Sequence, residues 1–152
     1  MLARFGRAEV SMPGGCMLGP RPVDLHLKAL EDLGAQLELT DETITCYASR
    51  LQGERIVFPT PSVGATENAM LAACGAWGVT VIENAAREPE IEDLQTFLNA
   101  MGADISGAGT DVVVIRGMRP ISYAEHAIVP DRIAAATVLC AAAACGGDVT
   151  AR

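Results

Sequence analysis

A loop near the start of the chain carries a cysteine in a setting where a thiol could react. Residues 13–22 read PGGCMLGPRP, with three glycines and three prolines in ten residues, a composition typical of a loop with little regular hydrogen bonding. A thiol in this loop is expected to be exposed. Cys16 is therefore either an incidental surface cysteine or a reactive thiol on a closing lid, with Arg21 nearby to favour the thiolate or hold an anionic substrate.

The other four cysteines are expected to be buried packing residues. Cys46 falls in an alternating strand pattern, whereas Cys74, Cys140 and Cys145 fall in alanine-rich helical segments. The cysteines are odd in number, show no Cys-x-x-Cys spacing, and follow no signal-like segment. These features favour reduced thiols in the cytoplasm over a disulfide framework.

Two polar residues stand where helices are predicted to begin. Ser62, Val63 and Gly64 follow Pro61 and open a helical stretch, and backbone N–H groups at a helix N-terminus bind phosphate oxygens well. Ser62 is equally a good N-cap, so the turn is either a phosphate-binding site or a simple cap. Asp131 is most simply a helix cap as well.

The elements that must position these residues form an internal repeat. Residues 22–48 resemble residues 90–117 when shifted by 68 positions, which aligns Leu30 with Leu98 and Gly34-Ala35 with Gly102-Ala103. Each copy predicts an amphipathic helix ended by a glycine and followed by two strands around a polar turn. Further strands are predicted at Ala8 to Ser11, Arg55 to Phe58 and Val79 to Ile82, and a helix from about Val63 to Ala76. Repeated units of this kind predict an α/β fold with helices packed on sheets.

Composition excludes several classes of function. The chain has 152 residues, half of them hydrophobic, and a formal net charge of −8, which argues against a nucleic-acid partner. The longest apolar stretch, Ile133 to Cys145, is too short to span a bilayer. His26 and His126 lack the spacing of a zinc site, so we expect no metal or cofactor. We interpret the acidic run as a solvated turn and first helical turn, comprising Glu83, Glu88, Glu90, Glu92 and Asp93.

Both ends of the sequence have the pattern of interrupted elements. Residues 1–6 resemble the end of a helix with its C-cap glycine, and residues 146–150 resemble a turn into a strand. We therefore expect this chain to be a fragment of a larger cytoplasmic protein.

Taken together, the motifs resemble the UDP-N-acetylglucosamine enolpyruvyl transferases (UDP-N-acetylglucosamine 1-carboxyvinyltransferases). The matching stretches run nearly end to end and include PGGC from Pro13, RPVDLH from Arg21, SVGATEN from Ser62, IENAAREPEI from Ile82 and VPDRI from Val129. Members of this family move the enolpyruvyl group of phosphoenolpyruvate to the 3-hydroxyl of UDP-N-acetylglucosamine, the first committed step of peptidoglycan synthesis. The resemblance implies an α/β fold of repeated βαβαββ units, an inside-out α/β barrel with three units in each of two domains.

By that comparison, the chain holds about two of the three units of one domain. The resemblance divides it into a partial catalytic-loop domain at 1–128, with units at 1–53 and 54–128, and the start of the crossover to the other domain at 129–152. The implied partners are the two substrates and the missing remainder of the enzyme, without nucleic acid or membrane.

The resemblance also assigns roles to residues. Cys16 resembles the loop cysteine that acts as general acid and nucleophile and is alkylated by fosfomycin in susceptible members. Arg21 would contact phosphate, and Ser62, Val63 and Gly64 would bind the nucleotide near its diphosphate. Asp131 would sit at the crossover between domains. The uracil pocket would be lined by Pro22, Val23, Asp24 and Leu25.

Departures from the family pattern leave alternatives open. Thr60 stands where the family commonly has lysine, and Ala134-Ala135-Ala136 replace a Glu-Thr-Gly run. Groups supplied by the other domain have no counterpart here, so we expect the chain alone to show no turnover. It is then either a piece of a complete enzyme or a non-catalytic nucleotide-binding or oligomerisation module. An enzyme making 5-enolpyruvylshikimate 3-phosphate is disfavoured, because those enzymes lack the PGGC loop.

Overall fold

The structure of the chain is a computed structural model, and it describes residues 1–12 and 23–151. The loop with Cys16, Arg21 and Pro22 lies outside the described residues. The first part contains α1 (Leu2–Phe5), β1 (Arg7–Ser11), α2 (Asp24–Asp32), β2 (Gln36–Leu39) and β3 (Thr43–Tyr47). The second contains β4 (Arg55–Val57), α3 (Val63–Cys74), β5 (Val79–Glu83), α4 (Pro89–Ala100), β6 (Asp104–Ser106), β7 (Val112–Arg116) and α5 (Arg132–Cys145).

Two sheets repeat one strand arrangement. The first has the order β1-β3-β2 with antiparallel neighbours, and the second has the order β4-β5-β7-β6. Strands β5, β7 and β6 pair antiparallel as β1, β3 and β2 do, while β4 adds a parallel neighbour to β5. The predicted repeat and the α/β class with helices packed on sheets are confirmed.

The equivalent helices α2 and α4 end in the same way. After α2, Gly34 has a φ of 91°, and the N–H of Ala35 donates to the carbonyl of Leu30 at 2.9 Å. After α4, Gly102 has a φ of 111°, and the N–H of Ala103 donates to the carbonyl of Leu98 at 3.0 Å. Both are Schellman endings, which need a left-handed residue that glycine adopts without a Cβ clash. The glycine-alanine pairs thus explain why both helices stop.

The core lies between the sheets and the small-residue helix α3. This helix buries Ala65, Ala69 and Ala73 completely, because small side chains allow close approach to α2 and α4. The second sheet adds Ile82 and Ile115, which are fully buried. Burial of this apolar surface stabilises the fold by roughly 25 cal/mol per Å².

The last helix differs from the sequence-based expectation. α5 has no buried residue, and Cys140 and Cys145 are exposed, so the prediction that both are packing residues was wrong. Alanine-rich composition favours a helix, but it does not determine which side of that helix is covered. The structure also shows coil, not a strand, at residues 146–151. Within the described parts of the chain, no helix is both long and apolar enough to cross a bilayer.

Candidate functional site

The turn at Ser62 is a capped helix N-terminus. Ser62 has an extended backbone, and the N–H of Ala65 donates to its Oγ at 3.4 Å, so the predicted cap is confirmed. Val63 and Gly64 are the first two residues of α3, and N–H groups at this position have no acceptor within a helix. Such groups carry a partial positive charge and suit an anionic oxygen.

The N-terminus of α2 lies beside that of α3. A Cβ atom at Gly64 would sit 3.2 Å from Cε1 and 3.4 Å from Nε2 of His26, which occupies the first turn of α2. Glycine at position 64 therefore lets the two helices approach at their N-terminal ends. This contact brings Val23, Asp24 and Leu25 next to the Ser62 turn, although the two segments are far apart in sequence.

The residues at the start of α2 have different environments. Val23 and Leu25 are half-buried and pack against the core, whereas Asp24 is exposed in the first helical turn. A carboxylate there is favourable because it faces the positive end of the helix dipole. Asp24 is thus held at the surface between two half-buried apolar neighbours, an arrangement that offers both a polar group and apolar contact to a ligand.

A shallow groove lies directly before α3. It has a volume of about 410 Å³ and is lined by Pro61, Ala85, Arg87 and Glu88. Arg87 is exposed, and its guanidinium lies 3.6 Å from a carboxylate oxygen of Asp111. An exposed pair at this distance is weak, so Arg87 is available to an anionic ligand.

Hydrogen bonds to other segments fix the loop that carries Arg87. The amide of Asn84 donates to the carbonyl of Phe58 at 2.9 Å, and the N–H of Ala86 donates to Oγ1 of Thr66 at 3.1 Å. Asn84 has a φ of 56°, a conformation that asparagine tolerates better than most residues. The loop is therefore held against α3. Sequence reasoning missed Arg87 and His26, although both lie in the quoted motifs IENAAREPEI and RPVDLH.

Asp131 lies in a different groove. This groove has a volume of about 790 Å³ and is lined mainly by apolar side chains, together with Glu67, Glu90, Asp93 and His126. Oδ1 of Asp131 accepts hydrogen bonds from the N–H groups of Ile133 and Ala134 at 2.9 and 3.0 Å. The predicted helix cap is confirmed. The structure thus places the Ser62 turn next to the start of α2 but assigns Asp131 to a separate groove.

Two carboxylates of the acidic run form ion pairs at the surface. Arg55 donates two hydrogen bonds to Glu83, at 2.7 and 2.6 Å, and this pairing lowers the pKa of the carboxyl. Arg132 donates two hydrogen bonds to Glu90, at 2.9 and 3.2 Å, and they likewise lower the pKa of Glu90. Glu88, Glu90 and Glu92 do lie at the start of α4, as expected from the helix dipole.

Among the residues that the structure describes, the remaining titratable groups do not form a metal centre. Burial raises the pKa of the Cys46 and Cys74 thiols, as expected for packing cysteines. In the part of the chain that the structure describes, no three His, Cys, Asp or Glu side chains are grouped to hold a metal ion. The described site therefore offers helix N-termini, a cation and apolar contacts.

Comparisons with known proteins place these features in a family. The family described as EPSP synthase (3-phosphoshikimate 1-carboxyvinyltransferase) matches residues 1–152. A UDP-N-acetylglucosamine 1-carboxyvinyltransferase 1 of Caldanaerobacter subterraneus subsp. tengcongensis is 54% identical over 98% of this chain and 36% of its own length. Another, from Symbiobacterium thermophilum, is 56% identical over 99% of this chain and 34% of its own length. The chain therefore spans about a third of the length of these relatives.

Solved structures agree with the sequence relatives. The enolpyruvyl transferase NikO from Streptomyces tendae matches 92% of this chain and 34% of its own, with a TM-score of 0.74 and 27% identity. EPSP synthase from Acinetobacter baumannii matches 75% of this chain with a TM-score of 0.60 at 24% identity, which shows a shared fold. The resemblance drawn from the motifs is confirmed.

Proposed function

Since this chain belongs to the EPSP synthase family of 1-carboxyvinyltransferases, we propose that it is the loop-cysteine part of a transferase that acts on UDP-N-acetylglucosamine. The transferase would move the enolpyruvyl group of phosphoenolpyruvate to the sugar 3-hydroxyl in the cytoplasm, for peptidoglycan synthesis and hence cell shape. The observation that carries this proposal is the contact between His26 and Gly64, which joins two segments predicted to hold the nucleotide. Relatives of that name at 54% and 56% identity support the choice of substrate.

In this proposal the sugar nucleotide lies across the N-termini of α2 and α3. The free N–H groups at Val63 and Gly64 donate to diphosphate oxygens, with Ser62 shaping the turn. Arg87, at the edge of the adjoining groove, supplies a positive charge in place of the family lysine whose position is occupied here by Thr60.

The uracil base lies on the α2 side of the contact between His26 and Gly64. Pro22, Val23 and Leu25 supply apolar surface, and the exposed Asp24 carboxylate accepts a hydrogen bond from the imide N–H of the base. Half-buried apolar residues around one polar group are typical of small-molecule sites.

The loop cysteine supplies the chemistry. The sugar 3-hydroxyl attacks C2 of phosphoenolpyruvate and gives its proton to a base from the remainder of the enzyme, while Cys16 acts as general acid and protonates the methylene carbon. The C2–phosphate bond then breaks, phosphate leaves with the electron pair, and loss of a methyl proton restores the double bond. In a separate reaction, the Cys16 thiolate adds to C2 of phosphoenolpyruvate, the C2–C3 double bond opens, and C3 takes a proton from solvent, which gives a covalent adduct. Arg21 contacts the phosphate.

The rest of the active site comes from protein that this chain does not contain. We propose that residues 1–53 and 54–128 are two units of one domain and that 129–152 begin the crossover. Leu71 of α3 is half exposed and borders two apolar grooves, one of about 790 Å³ and one of about 530 Å³. The face of α3 around Leu71 accommodates a third unit. The chain alone has no turnover, because catalysis needs groups from both domains.

A second candidate is a non-catalytic nucleotide-binding or oligomerisation module derived from the transferase. The run Ala134-Ala135-Ala136 in α5 favours it, because these three residues offer a ligand no polar side chain. Nucleotide binding without any reaction at Cys16 would select this candidate.

Fosfomycin, a phosphonate epoxide, tests the proposal on the chain itself. We expect the thiolate of Cys16 to open the epoxide and add the mass of one inhibitor, faster when UDP-N-acetylglucosamine is present. Cys140 and Cys145 are exposed and could react as well, so the adduct must be located by peptide mapping and compared in Cys16→Ser and Cys140→Ser variants. An adduct that persists in Cys16→Ser, or no adduct with or without nucleotide, would contradict a reactive loop in this chain.

A further inference from the structure

The segment that connects β7 to α5, residues 117–131, is fastened along α4. At the C-terminal end of α4, the N–H of Ser122 donates to the carbonyl of Met101 at 2.7 Å. Near the N-terminal end of α4, Arg132 holds Glu90 with two hydrogen bonds. The segment therefore follows the length of α4 although it has no regular secondary structure.

The middle of this segment is held by a histidine. Nε2 of His126 lies 2.8 Å from Oδ1 of Asp93, and each side chain is only 15% exposed. The imidazole also lies against the ring of Phe97, with centroids 5.4 Å apart and planes tilted by 37°. A partly buried hydrogen bond to a carboxylate with an aromatic contact is stronger than an exposed ion pair.

These contacts converge on the start of α5. Glu90 and Asp93 are three residues apart and therefore share one face of α4. Arg132 directly follows Asp131, so its bond to Glu90 fixes the position of the Asp131 backbone. Oδ1 of Asp131 is occupied by capping, which leaves Oδ2 to meet a ligand.

We propose that Glu90 and Asp93 are positioning residues. Their bonds to Arg132 and His126, together called the clasp, hold the connecting segment against α4 and set the position and direction of Asp131 and α5. The role of Asp131 as a substrate contact rests on the proposed function, whereas the clasp itself does not. In the transferase, Asp93 and Glu90 would affect nucleotide affinity without contacting the nucleotide.

Residual dipolar couplings measured by NMR on the whole chain test the clasp. In the wild-type chain the couplings of α4 and α5 should fit one common orientation. Asp93→Ala should reduce the couplings of α5 by about twofold or more, because motion of α5 averages them, and Glu90→Gln should reduce them less. Glu90→Arg should loosen α5, and the double variant Glu90→Arg/Arg132→Glu should restore it.

The matched control is Glu83→Gln. It removes an exposed arginine–glutamate pair of the same geometry, because Arg55 also bonds Glu83 twice. The couplings of α5 should not change. Averaged α5 couplings in the wild-type chain, unchanged couplings in Asp93→Ala, or no recovery in the charge-swapped pair would each overturn the clasp.

Affinity for UDP-N-acetylglucosamine, measured by calorimetry, separates the clasp from the proposed function. If the clasp positions Asp131 for the nucleotide, Glu90→Arg weakens binding by about threefold or more, and the swapped pair recovers it. If the wild-type chain does not bind the nucleotide, the proposed function of this chain fails while the couplings still decide the clasp. If Glu90→Arg loosens α5 but leaves affinity unchanged, the positioning role is wrong.

Discussion

The contact between Gly64 and His26 leads to a quantitative prediction about the candidate site. Replacing Gly64 by alanine places a Cβ atom 3.2 Å from Cε1 of the imidazole, closer than ordinary van der Waals contact. The imidazole must then move by a few tenths of an ångström, and with it the N-terminus of α2. The same substitution improves helix propensity, so two effects of opposite sign act at one position.

The two effects have similar sizes. Glycine costs up to about 1 kcal/mol relative to alanine in the middle of a helix, and in the first turn the gain is about 0.5 kcal/mol. The close contact offsets this gain, so Gly64→Ala should change the free energy of unfolding by less than about 0.5 kcal/mol in the wild-type background. In a His26→Ala background the contact is absent, and the same substitution should stabilise by about 0.5 kcal/mol.

Urea unfolding of the four proteins in this double-mutant cycle measures the coupling directly. We expect a coupling of about 0.5–1 kcal/mol between positions 64 and 26, and a rise in Tm of about 1–2 °C for Gly64→Ala only when His26 is absent. Equal effects of Gly64→Ala in both backgrounds would refute the contact, and with it the adjacency of the two predicted nucleotide-binding segments.

Three further predictions follow from burial, backbone geometry and charge. Iodoacetamide under native conditions should label Cys140 and Cys145 within minutes and leave Cys46 and Cys74 unmodified, since burial raises the pKa of both of the latter thiols; fast labelling of Cys74 would contradict the core. Gly34→Ala should lower the free energy of unfolding by about 1 kcal/mol, because its positive φ is strained for alanine while nothing lies near the new methyl group. Gly102→Ala should lower it more, because its methyl group would lie 2.6 Å from the carbonyl oxygen of Pro120. Thermal unfolding that ranks the two variants in the reverse order would contradict the two helix endings. Arg55 and Arg132 lower the folded-state pKa of Glu83 and Glu90, so these carboxylates stabilise the fold above their unfolded pKa of about 4.3, and this contribution is lost as the pH falls through the lower folded values. The free energy of unfolding of Glu83→Gln and Glu90→Gln should therefore depend less on pH than that of the wild type below about pH 4.3. Identical curves would contradict the pairing.

Local signals in the sequence predicted most of the fold. The Gly-Ala pairs at 34 and 102 marked the ends of α2 and α4 because a Schellman ending depends on adjacent residues. Ser62 and Asp131 were identifiable as caps for the same reason. Alternating apolar residues predicted the strands, because one face of each sheet is buried.

Contacts between distant segments could not be predicted in this way. His126 meets Asp93 and His26 meets Gly64 across long stretches of chain, and no periodicity relates these pairs. The pairing of Glu83 and Glu90 was not predicted because their arginine partners are distant in sequence. Cys140 and Cys145 looked buried because an alanine-rich helix has the same composition whether or not another element covers it.

In the proposed function, this chain holds UDP-N-acetylglucosamine across the N-termini of α2 and α3. Amide chemical-shift mapping with the unlabelled nucleotide tests it most directly. We predict that the largest shifts fall on Val23 to His26, Val63 to Ala65 and Ala85 to Glu88, with no comparable change in the exposed C-terminal turns of α5. No shifts at millimolar nucleotide, or shifts that avoid these three segments, would contradict the claim.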